Sequence, residues 1–447
     1  MALSLLSPRR MARTYLLPAA LAWLLSLPCA ARAAADDGPV RLPPVLHLSD
    51  ALDLFHGRGL DLLLADAAVL SAEGDVAAAG AIPNPALSAS AGRSFTCQTD
   101  GCRQLAFSVG LSDQAAIEDS LSGKRGLRLR VARIGRDIAK LSRADAERTV
   151  GFQVKSGFVQ VLLAQRALAF ARDTAAASAH MLELQQVREQ AGAISEADLA
   201  RVETAKLESD QAVDQAVGTL RAARANLAFL LGVRGATPDF EAVEPTLDRG
   251  TALPRLEGAT SDALFDAAQA HRPDVLAAAK GGEKAEANLA LQRRLRFPDL
   301  SLSATYLQQG TGADAITPPT VTFGISVPLP ILYQQQGEIR KAEADVRTQD
   351  LSGRKLDAQV RADVESGLAG YRGARALVDR MEGRLLERAR RARDLVQIQY
   401  QKGAASLLDY LDAERTFIST QVEYLNDLTT LWTSVFQLEQ AVGTELR

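Results

Sequence analysis

Residues 190–204 read QAGAISEADLARVET, and residues 401–415 read QKGAASLLDYLDAER. The likeness extends well past these two stretches. Gly192, Ser195, Asp198, Glu203, Leu227 and Gly232 recur as Gly403, Ser406, Asp409, Glu414, Leu438 and Gly443, each 211 positions on. Upstream, SDAL at 49–52 returns at 261–264, and P-x-L-S-x-S-A at 85–91 returns at 298–304. Matches that keep one order and nearly one spacing indicate two copies of a single unit, over 45–235 and 257–447. A linker over 236–256, with Pro238, Pro245 and Pro254, joins them.

Within each unit the hydrophobic period changes twice. Residues 47–80 and 259–295 are rich in Ala, Leu, Glu and Lys and predict helix. Next comes alternation with a period of two: Leu87, Ala89 and Ala91, then Leu105, Phe107, Val109 and Leu111 in the first unit. In the second unit Leu300, Leu302, Ala304 and Tyr306, then Val321, Phe323, Ile325 and Val327, alternate with Ser, Thr and Gly. The strands therefore fall within 86–112 and 300–328, and each is long enough for a tilted strand crossing a bilayer. Residues 122–190 and 336–402 are uninterrupted helical segments of about 67 residues, roughly 100 Å at 1.5 Å per residue. Each stops at one of the opening glycines and is followed by a shorter helix, over 195–231 and 406–442, so that long hairpins span 122–231 and 336–442. A returning helix plus a strand-preceding helix equals one long helix in length, which predicts end-to-end stacking along a wall. The fold class expected is mainly α with a small β part: two tandem helix-strand-strand-helix-helix repeats with coiled-coil hairpins.

Arg9, Arg10 and Arg13 precede the apolar run YLLPAALAWLLSL at 15–27, followed by Ala31-Arg32-Ala33. This reads as an export signal over 1–33, cleaved near Ala33, with a retained anchor as the alternative. Cys29 raises lipid attachment, but Ser26-Leu27-Pro28 before it departs from the usual lipidation signal. In an exported chain, Cys97 and Cys102 in a short polar loop predict a local disulfide; a two-thiol metal site is the other reading. Beyond residue 33 no run is apolar enough for a transmembrane helix, which leaves a barrel as the way into a membrane. Four strands cannot close a barrel, two chains would give a side-chain-filled one, and three would give twelve strands and a lumen, so a homotrimer is expected. A hairpin with its apolar face on a soluble core would show the same alternation. On that reading the chain is a periplasmic coiled-coil scaffold.

In this order and spacing, IPNPALS at 82–88, SGKRGLRLRVA at 122–132, HRPDVLAAA at 271–279 and VPLPILYQQQGEIRKAEAD at 327–345 resemble the TolC family of outer-membrane efflux channels, and within it the CzcC-like subunits of cobalt, zinc and cadmium efflux. The resemblance covers essentially the whole chain after the signal. It implies a trimer with a twelve-stranded barrel in outer-membrane lipid and a helical tunnel in the periplasm. It also implies an exit duct for divalent heavy-metal cations that docks a periplasmic membrane-fusion adaptor and an inner-membrane RND-type transporter. Drug or small-organic efflux and type I secretion are the alternatives within the family.

The repeated stretches become the tips of the hairpins, six in a trimer, ringing the periplasmic mouth. The resemblance places a constriction at Tyr400, Asp409 and Asp412 of the second unit and Asp198 of the first. It places adaptor docking at the turns Gly192, Ser195, Gly403 and Ser406. Where the best-known members have Arg two positions after the second-unit glycine, this chain has Ala405. Read from the residues alone, Ser195-x-x-Asp198 and Ser406-x-x-Asp409 are helix N-cap pairs, which suffices to explain both carboxylates. Asp412 lies a turn deeper on the face of Asp409, where a ring of carboxylates favours cations; a solvated helix face is the alternative. The glycines suit the left-handed backbone of a helix end.

A net charge of −3 gives no basic footprint for nucleic acid. No phosphate loop, nucleophile elbow or metalloprotease motif occurs, and His47, His56, His180 and His271 are scattered without partners at ligand spacing. No enzyme activity, cofactor or resident metal site is expected.

Overall fold

The computed structural model describes residues 42–93, 105–247, 249–250, 253–309 and 318–446. The expected signal segment with Cys29, and the pair Cys97 and Cys102, lie outside the described residues. In the first half, β1 (Val45–Leu46) leads into α1 (Leu48–Arg58) and α2 (Leu60–Gly80), then β2 (Ala86–Arg93) and β3 (Leu105–Ser112). After these come α3 (Ala116–Leu121), α4 (Lys124–Gln190) and α5 (Glu196–Leu230). The connecting stretch holds β4 (Glu241–Ala242), a 3-10 turn at Pro245–Leu247 and α6 (Pro254–Glu257). The second half runs α7 (Ser261–His271), α8 (Pro273–Leu295), β5 (Ser301–Gln309), β6 (Thr320–Ser326) and α9 (Gln336–Arg380). A π turn at Met381–Leu385 then leads to α10 (Leu386–Gln401) and α11 (Leu407–Val442). Among the described residues no helix is long and apolar enough to cross a membrane.

Three helices differ from expectation. The segment 47–80 is two helices that break at Gly59, and 259–295 is two that break between Arg272 and Pro273, where the proline ring lacks an N–H and pushes the preceding residue out of helical geometry. The long helix of the second half is interrupted by the π turn, whereas α4 runs unbroken for 67 residues. The extra π-turn residue turns Glu382 toward the connecting stretch: its Oε1 accepts from Gly250 N at 2.9 Å and from the Tyr424 hydroxyl at 2.7 Å.

The helices that flank α4 do stack end to end. Arg125 Nε donates to Gly80 O at 2.7 Å and Arg143 Nε to Asp66 at 2.6 Å, so α2 runs antiparallel to the upper part of α4. Farther along, α5 takes over, with Leu227 beside Gly157. The two flanking helices meet where Gly232, at φ +82°, leaves no room for a Cβ against the Arg58 carbonyl. The second half repeats this arrangement: Arg293 of α8 pairs with Glu343 at 3.0 Å, Leu438 of α11 packs on Gly367, and Gly443, at φ +81°, abuts Arg272. The main apolar core gathers around these junctions, with Phe55, Phe158, Leu227, Leu231, Leu247, Leu428, Leu431 and Phe436 fully buried. Arg272, also buried, ties the second junction by donating to Ala441 O at 3.1 Å and to Asp274 at 2.7 Å.

At the other end of α4, the strands form one antiparallel sheet in the order β2-β3-β5-β6, shared between the halves. Register puts Leu87, Leu111, Ala304 and Phe323 in one cross-strand row and Ala89, Val109, Tyr306 and Val321 in the next, all on one face. The other face carries Ser88, Gly110, Thr305 and Thr322, beside Ser112, Ser303 and Gly324. The sheet is pinned to the helices by buried Lys124, whose ammonium donates to Phe297 O at 2.6 Å and to Asp299 at 2.5 Å.

Candidate functional site

Two features stand out, one at each end of the long helices. The first is the sheet. Its apolar face is uncovered: Phe323 is 82 % exposed, Leu87 74 % and Ile325 71 %. Contiguous apolar surface of this kind marks a face that meets lipid or protein rather than water. The outer strands β2 and β6 have no further partner among the described residues, so each keeps a row of unpaired backbone groups on its outer edge.

The second feature is the pair of tips. α4 ends at Gln190, Gly192 takes φ +70°, and Ser195 caps α5, its Oγ accepting from Asp198 N at 3.1 Å. The Asp198 carboxylate accepts from Ser195 Oγ at 2.8 Å and is held by Arg201 at 3.0 Å. In the second tip Gly403 takes φ +73° and Ser406 caps α11 with a complete capping box. Ser406 Oγ accepts from Asp409 N at 3.2 Å, while Asp409 Oδ2 accepts from Ser406 Oγ at 2.7 Å and Ser406 N at 2.9 Å. These bonds to the Ser406 side chain and backbone hold the Asp409 carboxyl below its ordinary value. Asp412 stands exposed one turn on and has no hydrogen-bond or ion-pair partner among the described residues.

Tyr400 points between the hairpins instead of standing free. Its hydroxyl donates to buried Gln185 at 3.1 Å and accepts from Arg188 at 3.2 Å, whose guanidinium also lies 5.6 Å from the ring centre. The ring stacks on Tyr410 at 5.6 Å, over a small apolar cluster of Val202, Leu407 and Tyr410 that joins the two tips. The structure thus brings Tyr400 together with Gln185, Arg188 and Tyr410, and leaves Asp198, Asp409 and Asp412 on the outer turns. Gln185, Arg188 and Tyr410 were not read from sequence. A signal existed: in an antiparallel hairpin, Tyr400, three before Gly403, and Tyr410, seven after it, fall close in height. Above this cluster an open cleft of about 620 Å³ runs between α4, α5 and α11, lined by Ala205, Ala212, Ala216 and Ile418. No group of three or more His, Cys, Asp or Glu residues placed to hold a metal occurs among the described residues.

The chain thus presents an uncovered four-stranded sheet on one end of paired helical hairpins, shared between its two halves. The chain belongs to the outer membrane efflux protein family, which matches it over residues 52–233 and 264–444, one stretch in each half. It is a transport duct of the outer membrane, not an enzyme.

Among its relatives is the cobalt-zinc-cadmium resistance protein CzcC of Cupriavidus metallidurans, 27 % identical over 442 residues that cover 96 % of this chain and 100 % of that one. The pyoverdine export outer membrane protein OpmQ of Pseudomonas aeruginosa is 27 % identical over 327 residues, 70 % of this chain and 65 % of that one. The crystal structure of the Campylobacter jejuni CmeC outer membrane channel shares the fold with a TM-score of 0.76 at 17 % identity, across 89 % of this chain and 85 % of that one.

Proposed function

We propose that three copies of this chain pair β6 of one with β2 of the next, closing a twelve-stranded barrel in the outer membrane above a periplasmic tunnel of helical hairpins. On this reading the chain is two copies of one unit, with boundaries near 45–235 and 257–447, and enters the periplasm behind a signal segment cleaved near Ala33. The sheet carries the argument. Lipid leaves no water for an unpaired edge, so a sheet with a lipid-compatible face and two free edges must close on further copies. The opposite face, small and hydroxyl-rich, then lines a lumen, as in other barrels with a polar interior.

The duct is the exit of a tripartite efflux system, with a periplasmic adaptor docking on the tip turns at Gly192, Ser195, Gly403 and Ser406 and an RND-type transporter supplying the energy. Its cargo is divalent heavy-metal cations, which pass as substrate and not as resident ligands. End-to-end similarity to the resistance protein CzcC supports that cargo. Exposed Asp412 is consistent with it, since a passage that must release its ion uses charge and not tight ligation. A second reading, export of a small organic molecule, draws on the shorter match to OpmQ.

The deciding experiment is growth of a deletion strain, with and without the restored gene, across graded zinc, cobalt, cadmium, copper and nickel beside a drug and siderophore panel. Sensitivity confined to metals is the expected result. Sensitivity confined to organic compounds would replace the cargo and leave the duct.

A further inference from the structure

The lower part of the second hairpin carries an unusual charge. Arg388, Arg391, Leu395 and Ile398 share one face of α10, with Arg384 a turn above them in the π turn. All five are exposed, and among the described residues the three arginines have no hydrogen-bond or ion-pair partner. This face points away from α11. The α11-facing side of α10 is fixed by Val396 and Tyr400 on the tip cluster and by Arg393, whose guanidinium lies 4.5 Å from the Phe417 ring centre. Arg391 and Leu395 each stand two residues from Arg393, on the far side of a helix with 3.6 residues per turn.

A complementary stripe lies on α5. Val202, Ser209 and Leu220 are buried, and Val202, Ala205, Ser209, Ala212 and Ala216 line the cleft shared with α4 and α11. The remaining face presents Glu203, Leu207, Asp210 and Asp214. Leu207 is exposed, and Glu203 and Asp214 have no partner among the described residues. Among the described residues Asp210 pairs only with Lys206, one turn back on its own helix. Within one chain each stripe therefore faces away from the helices its own helix packs against, which leaves it for a neighbouring copy.

Heights along the tunnel also agree. Val202, ten positions beyond Gly192, packs with Tyr410, seven beyond Gly403, and Glu208, sixteen beyond, pairs with Arg415, twelve beyond, at 3.1 Å. The first tip thus reaches three to four residues lower, about 5 Å at 1.5 Å per residue. Arg388, Arg384 and Arg391 lie fifteen, nineteen and twelve positions before Gly403. Glu382, twenty-one before Gly403, bonds Tyr424, twenty-one after, so equal counts on either side of the turn share a height to within about a helical turn. Adding the offset of three brings Arg388 near Asp210, Arg384 near Asp214, and Arg391 near Leu207, between Glu203 and Asp210. Rotation about an axis along the membrane normal preserves height, so this alignment holds between copies.

We infer that the Arg384-Arg388-Arg391 stripe of each copy seats on the Glu203-Asp210-Asp214 stripe of the next, forming a charged seam that closes the lower tunnel. The inference rests on the trimeric reading above and adds where and by what chemistry the helical part joins. Exposed ion pairs add little affinity singly, but a like-charged mismatch is unfavourable, so the seam sets register between neighbouring hairpins.

The test uses the full-length protein, purified in detergent and carrying Arg388→Cys together with Asp210→Cys. Under mild oxidation the expected product is covalent dimers and trimers, absent from either single variant. Arg384→Glu with Arg391→Glu in that background should cut the cross-linked yield at least tenfold, and adding Glu203→Arg with Asp214→Arg should restore it. A sample that an amine-reactive cross-linker shows to be trimeric, yet with no disulfide between copies, would overturn the seam and keep the trimer. A sample that the same reagent shows to be monomeric would overturn both. Yield unmoved by the charge reversals would show proximity without the proposed chemistry and also overturn it.

Discussion

The two tips are the same backbone carrying different side chains. Gly192 and Gly403 have φ +70° and +73°, and Ser195 and Ser406 cap the returning helices with φ −83° and −78°. At equivalent positions the chemistry diverges. Asp198 and Asp409 both serve the cap, but the first tip has Arg201 where the second has Asp412, and Leu199 where the second has Tyr410. Arg201 pairs with Asp198 at 3.0 Å, so among the described residues the first tip keeps Glu196 as an unpaired carboxylate, where the second has Leu407, while the second presents Asp409 and Asp412. Tyr400, which ties the hairpins together, stands where the first half has Glu189. Turn geometry is thus common to both tips, while the Arg201–Asp198 ion pair belongs to the first and the Tyr400–Tyr410 stack to the second.

The largest effects should fall where the halves agree. Gly232 and Gly443 both have a left-handed backbone at a helix-helix junction. Alanine in that conformation costs about 1–3 kcal/mol. At Gly232 the added Cβ would also overlap the Arg58 carbonyl oxygen, whereas at Gly443 it would meet side-chain and backbone atoms of Arg272 at 3.2–3.3 Å, tight contacts but a smaller clash. Gly232→Ala should therefore lower the melting temperature of the purified protein more than Gly443→Ala. Equal shifts would mean that the two junctions bear the same load and that the halves are more alike than their contacts suggest.

The next effect separates the tips. Asp412→Arg gives the second tip the first tip's pattern and should lower cation preference in planar bilayers several-fold, whereas Arg201→Asp should raise it. Unchanged selectivity in both variants would show that the tip carboxylates face solvent and not the passage. Asp409→Ala should shift selectivity less than Asp412→Arg, because the Asp409 carboxylate is already engaged by the Ser406 cap.

A smaller effect is expected at the π turn, which has no counterpart in α4. Glu382→Ala removes the acceptor of both Gly250 N and the Tyr424 hydroxyl. Burial, reinforced by the Glu382 hydrogen bond, raises the Tyr424 hydroxyl above its ordinary value, so the protonated form is the one held. Loss of these bonds, roughly 1 kcal/mol each, should speed amide hydrogen exchange in α10 while leaving exchange in α4 unaltered. Equal protection of α10 before and after would mean that Glu382 does not anchor the second hairpin to the connecting stretch.

Much of this architecture was legible in the sequence because it is periodic. Alternation over 300–306 and 321–327 fixed which residues share a sheet face, and the spacing Ser406-x-x-Asp409 fixed the cap, since both depend on local backbone geometry. The π turn at Met381–Leu385 has no such signature, because it depends on what Glu382 finds across the fold in Gly250 and Tyr424. The break before Pro273 was legible in principle, since proline disfavours helix in the residue before it. The Tyr400–Gln185 contact joins residues 215 apart in the chain and required the relative height of the two tips.

The smallest predicted effect concerns pH and again belongs to the second tip alone. Burial, with Glu414 nearby, pushes the Tyr410 hydroxyl up to about 12, whereas tyrosine in an unfolded chain titrates near about 10. Because the folded value is raised, the stabilisation is fully present below pH ~10 and is lost as pH climbs toward 12, the unfolded chain releasing its proton first. Tip opening, followed by limited proteolysis near Gly403, should therefore rise across that alkaline window. Tyr410→Phe should flatten the rise without disturbing the stack on Tyr400, since the ring is retained. A rise that survives in the phenylalanine variant would assign the alkaline sensitivity to groups other than Tyr410.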